Sequence, residues 1–232
     1  MLFYYKWNEV NDMFDSEKYM EELIAALKQA FGSRLAYVGL QGSYLRNEAT
    51  EESDIDPMVV IDGLSAEDLK TYRSLIERME HPEKSCGFIC GKDQLANWNA
   101  LEIYHLLHST KDLHGELGLL IPVYTREDMR SYIKLSLNNL SHAMCHRSIH
   151  AEVGKHITHL PGDFKSAFFI LQDLHALRTG VFLRTSSELV QALDGADRAV
   201  LKRYIAIKSG AEPLEEDFKL LFDWCSETMA VL

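Results

Sequence analysis

Apolar residues recur at helical spacing through EKYMEELIAALKQAF, with Asp15 or Ser16 as its N-cap and Gly32 as its stop, which predicts a helix to about Ala30. Two apolar runs follow, Leu35–Leu40 and a stretch near Asp56–Ile61, each of strand length. Ser65 then caps a predicted helix over AEDLKTYRSLIERME, ended by His81-Pro82. The run Ser85–Cys90 reads as a third strand. The order α-β-β-α-β suits a small mixed sheet with helices on one side. From Asp93 to Leu120 the pattern is mixed, with a short helix at Leu101–His108; Gly115 and Gly118 interrupt it and Pro122 marks a boundary.

Beyond Thr125 the pattern is helical with few breaks. One helix opens at Thr125 and extends to about His150, and a second runs from Pro161-Gly162-Asp163 to Thr179-Gly180. Ser186 or Ser187 caps a third, Asp194–Lys208 supplies a fourth, and Pro213 with Glu215-Glu216 opens a last amphipathic helix. Short connections between them predict a bundle. The expected class is therefore α+β: a mixed-sheet domain over residues 1–122 and a helical bundle over 123–232.

Composition narrows the functional classes. The 232 residues are 47% hydrophobic and 25% charged, as in ordinary globular chains. The net charge of −11 opposes binding to a phosphate backbone and suits a cationic small substrate drawn to an acidic cleft. The N-terminal MLFYYKWNEVNDMFDSEK resembles neither a signal nor a transit peptide, and no apolar run reaches membrane-span length. Four cysteines without paired spacing fit a reducing cytoplasm, with Cys86 and Cys90 as core filling. The expectation is a cytoplasmic protein, monomer or homodimer, with no nucleic-acid or membrane partner.

The chemistry concentrates between Leu35 and Gly63. An apolar run meets Gly42-Ser43, a polar spacer follows, and Asp54-Ile55-Asp56 enters the next apolar run. Residues i and i+2 of a strand share a face, so Asp54 and Asp56 project together while Ile55 packs beneath. Paired carboxylates repel unless neutralised, and an oxygen-preferring divalent cation is the usual answer. A Gly-Ser turn offers backbone N–H groups and a hydroxyl to phosphate oxygens.

This order of strand, Gly-Ser, spacer, Asp-x-Asp and strand resembles the signature of the DNA polymerase beta-like nucleotidyltransferase superfamily. The resemblance implies that Asp54 and Asp56 bind Mg²⁺ and that Gly42 and Ser43 hold the phosphates of a nucleoside triphosphate. In the second half, Leu174–Leu189 (LHALRTGVFLRTSSEL) and Asp197-Arg198-Ala199-Val200-Leu201 resemble the C-terminal domain of aminoglycoside 3″-adenylyltransferases. That likeness implies transfer of AMP from ATP to a hydroxyl of a small molecule, an aminoglycoside-like antibiotic among them, in a cleft between the two domains. Family members also add a third carboxylate from a later strand. Here SCGFIC has none, and the candidates are Glu83, Asp93, Glu102 and Asp112, with Asp112 and Glu102 foremost. Pro57 departs from the usual aliphatic residue and requires an edge strand or an N–H position facing away from a partner.

Arg46, Lys165 and Lys208 are candidate phosphate partners, against solvated surface roles. His142, His146 and His150 fall at i, i+4 and i+8; their ends lie about 12 Å apart along a helix, so one ion cannot hold all three, and a polar helix face is the expected role. His105, His108 and His114 are explained equally by substrate contact or by amphipathic helix positions. Trp7, Trp98 and Trp224 are expected in the core or an interface. Two other functions compete: a nucleotide-binding regulator without catalysis, suggested by the missing third acid, and a transferase acting on a protein or RNA.

Overall fold

The computed structural model describes residues 14–152 and 154–232; Trp7 and most of the N-terminal stretch considered above lie outside them. The chain divides into two compact units. The first holds the described residues up to Lys92 together with Asp112–Gly115; the second holds Asp93–Lys111 and Glu116–Leu232. The passage between them comes earlier in the chain than the expected 122/123 boundary, and returns once.

In the first unit, α1 (Ser16–Phe31) starts where Asp15 accepts hydrogen bonds from the Glu17 and Lys18 amides, and stops at Gly32. The sheet contains β1 (Leu35–Gln41), β2 (Asp56–Ile61), β3 (Phe88–Gly91) and β4 (Lys111–His114) in the order β3-β2-β1-β4. Strand β2 runs antiparallel to β1, from Leu35 opposite Ile61 to Gln41 opposite Asp56, and parallel to β3. Ile55, Met58, Val59, Val60 and Ile61 are fully buried, as befits a central strand covered on both faces. One face takes Leu35, Val38, Ile55, Val59 and Ile61, which pack with Tyr19, Met20, Leu23, Leu27 and Phe31 of α1. A bulge between Leu35 and Tyr37 puts Tyr37, Gln41, Asp56, Met58 and Val60 on the other face. The helix α3 (Ala66–Ile76) has a capping box between Ser65 and Asp68 and ends at Ile76, before the expected His81-Pro82 stop.

Pro57 lies in a strand that is central in the sheet order, at a point where its pairing with β3 is interrupted. Ile55 pairs with Ser85 as an isolated bridge, and regular pairing resumes only at Met58 with Phe88. Between them Pro57 faces Gly87, where a Cβ would lie 2.3 Å from the Pro57 carbonyl oxygen and 2.7 Å from its ring. The missing donor interrupts the ladder and the glycine makes room for the ring. This is why β3 begins three residues later than its apolar run suggests.

The second unit is helical: α4 (Lys92–Ala96, its first residue in the first unit), α5 (Ala100–His108), α6 (Arg126–His150), α7 (Leu160–Thr179), α8 (Ser186–Ala192), α9 (Gly195–Lys208) and α10 (Glu215–Val231). A capping box of Thr125 with Asp128 opens α6, and Gly180 closes α7 in the left-handed region. Thr185, with Glu188, caps α8 in place of the expected Ser186 or Ser187. Helix α7 is buried over most of its circumference through Phe164, Phe168, Leu171, Leu174 and Leu177. Phe168 stacks on Tyr204 of α9 with ring centroids 5.0 Å apart, and Trp224 of α10 donates to Asp197 at 2.7 Å from within the same core. The buried polar groups of α7 are paired: Asp163 with Arg147, Asp173 with His105, and Gln172 with the Leu183 and Arg184 carbonyls. Among the described residues no helix is long and apolar enough to cross a membrane.

Candidate functional site

The site forms where β1 ends. Gln41 is the last residue of β1 and lies opposite Asp56, the first of β2. The chain must turn at once after Gln41, and it does so through a single helical turn, α2 (Gly42–Leu45). Gly42 has φ +72°, and a Cβ there would sit 1.7 Å from Asp56 Oδ2. Backbone and carboxylate therefore touch directly, which no other residue type permits. The Glu48 amide donates to the Ser43 carbonyl at 2.9 Å, closing the turn.

Asp54 lies two residues before β2 begins and is exposed, while Ile55 is fully buried and Asp56 half-buried. Burial therefore alternates over these three residues, with Ile55 packed into the core between the two aspartates. Lys84 fixes the preceding loop by donating to the Glu51 and Ser53 carbonyls at 2.6 and 3.3 Å. Tyr44 packs edge-on to Phe14; burial and then the negative charge of Asp54 push its phenol up from the ordinary value. Neither Lys84 nor Tyr44 was expected at the site. Tyr44 follows directly from its place after Gly42-Ser43, whereas Lys84 carries no local signal.

The remaining candidates are dispersed. Asp112 accepts a 2.6 Å hydrogen bond from the Tyr37 hydroxyl. Burial and this carboxylate hold the Tyr37 phenol far above its usual range. Tyr37 pairs with Val60, four residues along β2 from Asp56, or about 13 Å at strand rise. Asp112 shares the Asp56 face without joining it in a cluster. Among the described residues no three His, Cys, Asp or Glu side chains gather to hold an ion. Glu83 lies beside His81, Asp93 is exposed at the start of α4, and Glu102 accepts from Trp98 Nε1 at 2.6 Å in the helical unit. The register that pairs Ile55 with Ser85 and Met58 with Phe88 puts Cys86 beside Asp56 on the same face, and its thiol is exposed. Arg46 pairs with Glu48 at 3.3 Å. Lys165 and Lys208 are exposed on α7 and α9 of the helical unit.

The donor set of the Asp pair is all oxygen and suits Mg²⁺, which binds through one or two carboxylates and completes its shell with water and phosphate oxygens. The Asp56 carboxylate occupies the space that a side chain at Gly42 would fill. Gly42→Ala is expected to cost about 1–2 kcal/mol from its left-handed backbone alone. By displacing Asp56 it is expected to lower activity about 10²-fold. A thermal melt and an initial-rate assay on one preparation check both effects.

Residues 20–90 match the family described as nucleotidyltransferase domain. A relative from Methanocaldococcus jannaschii, assigned as a protein adenylyltransferase, is 44% identical over 48 residues, 21% of this chain and 48% of its own length. The chain thus matches about half the length of that relative. The solved structure of spectinomycin adenyltransferase AAD(9) from Enterococcus faecialis, with ATP and spectinomycin, shares the fold: the TM-score is 0.59 at 12% identity, over 93% of this chain and 100% of that one. Gly42-Ser43 and Asp54-Ile55-Asp56 both fall within the segment that matches the nucleotidyltransferase domain family.

Proposed function

We propose that the protein transfers a nucleoside monophosphate, AMP from ATP, to a hydroxyl of a small molecule. The observation that carries this reading is the contact between the Gly42 backbone and the Asp56 carboxylate, with Asp54 two residues away. Gly42 and Ser43 present backbone and hydroxyl groups to the triphosphate. Asp54 and Asp56 hold Mg²⁺, which when bound offsets phosphate charge. The acceptor oxygen forms a bond to the α-phosphorus, the bond to the bridging oxygen breaks, and pyrophosphate leaves. Asp112, on the Asp56 face, is the candidate for receiving the hydroxyl proton. Arg46, Lys165 and Lys208 are the candidate cations for the phosphates.

The acceptor class is supported by the helical unit, whose fold matches that of an enzyme solved with ATP and spectinomycin. The acidic net charge of −11 suits an amine-bearing acceptor such as an aminoglycoside. A protein acceptor is the second reading, favoured by the identity to the archaeal relative. Cys86 in place of an acid beside Asp56 favours a third, a nucleotide-binding regulator.

One assay separates them. The purified protein is incubated with α-labelled ATP, Mg²⁺ and either a panel of aminoglycosides and spectinomycin or a protein extract. Label on a small molecule with stoichiometric pyrophosphate is the expected result. Label on a protein band would establish the second reading, and ATP binding with neither product the third.

A further inference from the structure

The carboxylate site leaves one sequence motif unused. His142, His146 and His150 are all exposed in the last turns of α6, and their rings approach in succession. The centroids of His142 and His146 lie 6.1 Å apart, and those of His146 and His150 4.7 Å apart, with interplanar angles of 47° and 46°. The spacing of i and i+4 puts neighbouring rings one above the other on a single helix face.

Two imidazole nitrogens bound tetrahedrally to one ion, each at 2.0–2.1 Å, stand roughly 3.3 Å from one another. Rings whose centroids are 4.7 to 6.1 Å apart reach that separation by side-chain rotation alone. The three histidines cannot close on one ion, since His142 and His150 are about 12 Å apart along the axis. They form two overlapping pairs, and His146 belongs to both.

Neighbouring side chains leave this face open. Arg147 turns inward, its guanidinium donating twice to Asp163 at 2.6 Å. Cys145 is partly buried and lies about 100° around the helix from His146. Leu135 and Ile149 are exposed nearby and carry no charge. A helix C-terminus favours any cationic side chain, but that preference gives no reason for three imidazoles at a strict four-residue repeat.

We propose that the C-terminal turns of α6 form a transition-metal site in which His146 and either His142 or His150 chelate one ion, water completing the shell. Imidazole donors select Zn²⁺, Cu²⁺ or Ni²⁺ over Mg²⁺, so this site and the Asp54/Asp56 pair take metals of different chemistry. An ion held between i and i+4 ties one turn of helix to the next.

The test uses the full chain at neutral pH, titrated with Cu²⁺ and followed by calorimetry and by nitrogen hyperfine splitting in electron paramagnetic resonance. The expected site is one ion per chain with two nitrogen ligands. His146→Ala removes both pairs and is expected to weaken binding by at least about tenfold, whereas His142→Ala and His150→Ala each leave a pair and cost about twofold. His156→Ala, on a histidine paired with Glu215, serves as the control and is expected to bind like the unaltered protein. A severe loss in His150→Ala equal to that in His146→Ala, with His142→Ala unaffected, would support the proposal and confine the ion to the closer pair. Unchanged binding and unchanged hyperfine splitting in His146→Ala would overturn it. Circular dichroism of each variant confirms that α6 remains folded.

Discussion

Asp56→Asn is expected to reduce nucleotidyl transfer roughly 10³-fold, the scale of losing one charge-stabilising group at a reacting centre. The amide is nearly isosteric with the carboxylate, so the contact with the Gly42 backbone survives. What disappears is a negative charge two residues from Asp54, and with it both cation affinity and carboxylate repulsion. Pyrophosphate release gives the rate. Melting with and without Mg²⁺-ATP gives the coupling, since a ligand that binds only the folded state raises its stability. The unaltered protein should gain on adding Mg²⁺-ATP and the variant should not. A variant within tenfold of the parent rate would remove Asp56 from the chemistry.

The largest expected loss of stability comes from Asp217→Ala. Asp217 has a side chain only 5% exposed and holds Arg203 through contacts of 2.5 and 2.6 Å. It also accepts the Leu214 amide at 2.7 Å at the start of α10, while Arg203 reaches the Glu212 carbonyl at 2.6 Å. One carboxylate thus joins the α9 guanidinium to the first turn of α10. Removing it leaves a partly exposed cation and a helix N-terminus without their acceptor, at a cost of about 2–3 kcal/mol. Urea denaturation should show a lower midpoint with an unchanged slope. The Lys219–Asp223 pair of the same helix is exposed, and its removal should leave the midpoint where it was. Equal shifts for the two pairs would show that burial does not set the effect.

Several elements are legible in the sequence because local chemistry decides them. Asp15, Ser65 and Thr125 cap helices because their side chains reach amides two or three residues away. Gly42 and Asp56 were legible as a pair because β1 and β2 are neighbours along the chain as well as in space. Distant pairing was not legible. Strand β4 has the exposed residues Lys111, Asp112 and Leu113, so no apolar alternation announces it, and its position beside β1 comes from a segment some seventy residues away. The start of β3 depends on Pro57 facing Gly87, a contact that neither segment reveals separately. At α8, three consecutive hydroxyl residues offered three caps, and Glu188 at the fourth position of the capping box selects Thr185. The neighbour of Asp56 on the β3 side is silent in the sequence for the same reason as β4: a strand's register decides which side chain stands there, and that register brings Cys86.

Because β4 returns to the first unit only after residues 93–111 have entered the second, the two units cannot mature in simple succession on the ribosome. The segment matched to the nucleotidyltransferase family ends at residue 90, when β1 still has one unpaired edge. That edge is a row of open amides and carbonyls until Asp112–Gly115 emerges, and open edges invite pairing with other chains. A fragment cut after the family match would keep Gly42, Asp54 and Asp56 but leave open the β1 edge that β4 covers. Synthesis therefore places the start of the helical unit inside the assembly of the sheet that carries Gly42, Asp54 and Asp56, and chain order makes the two halves one folding problem.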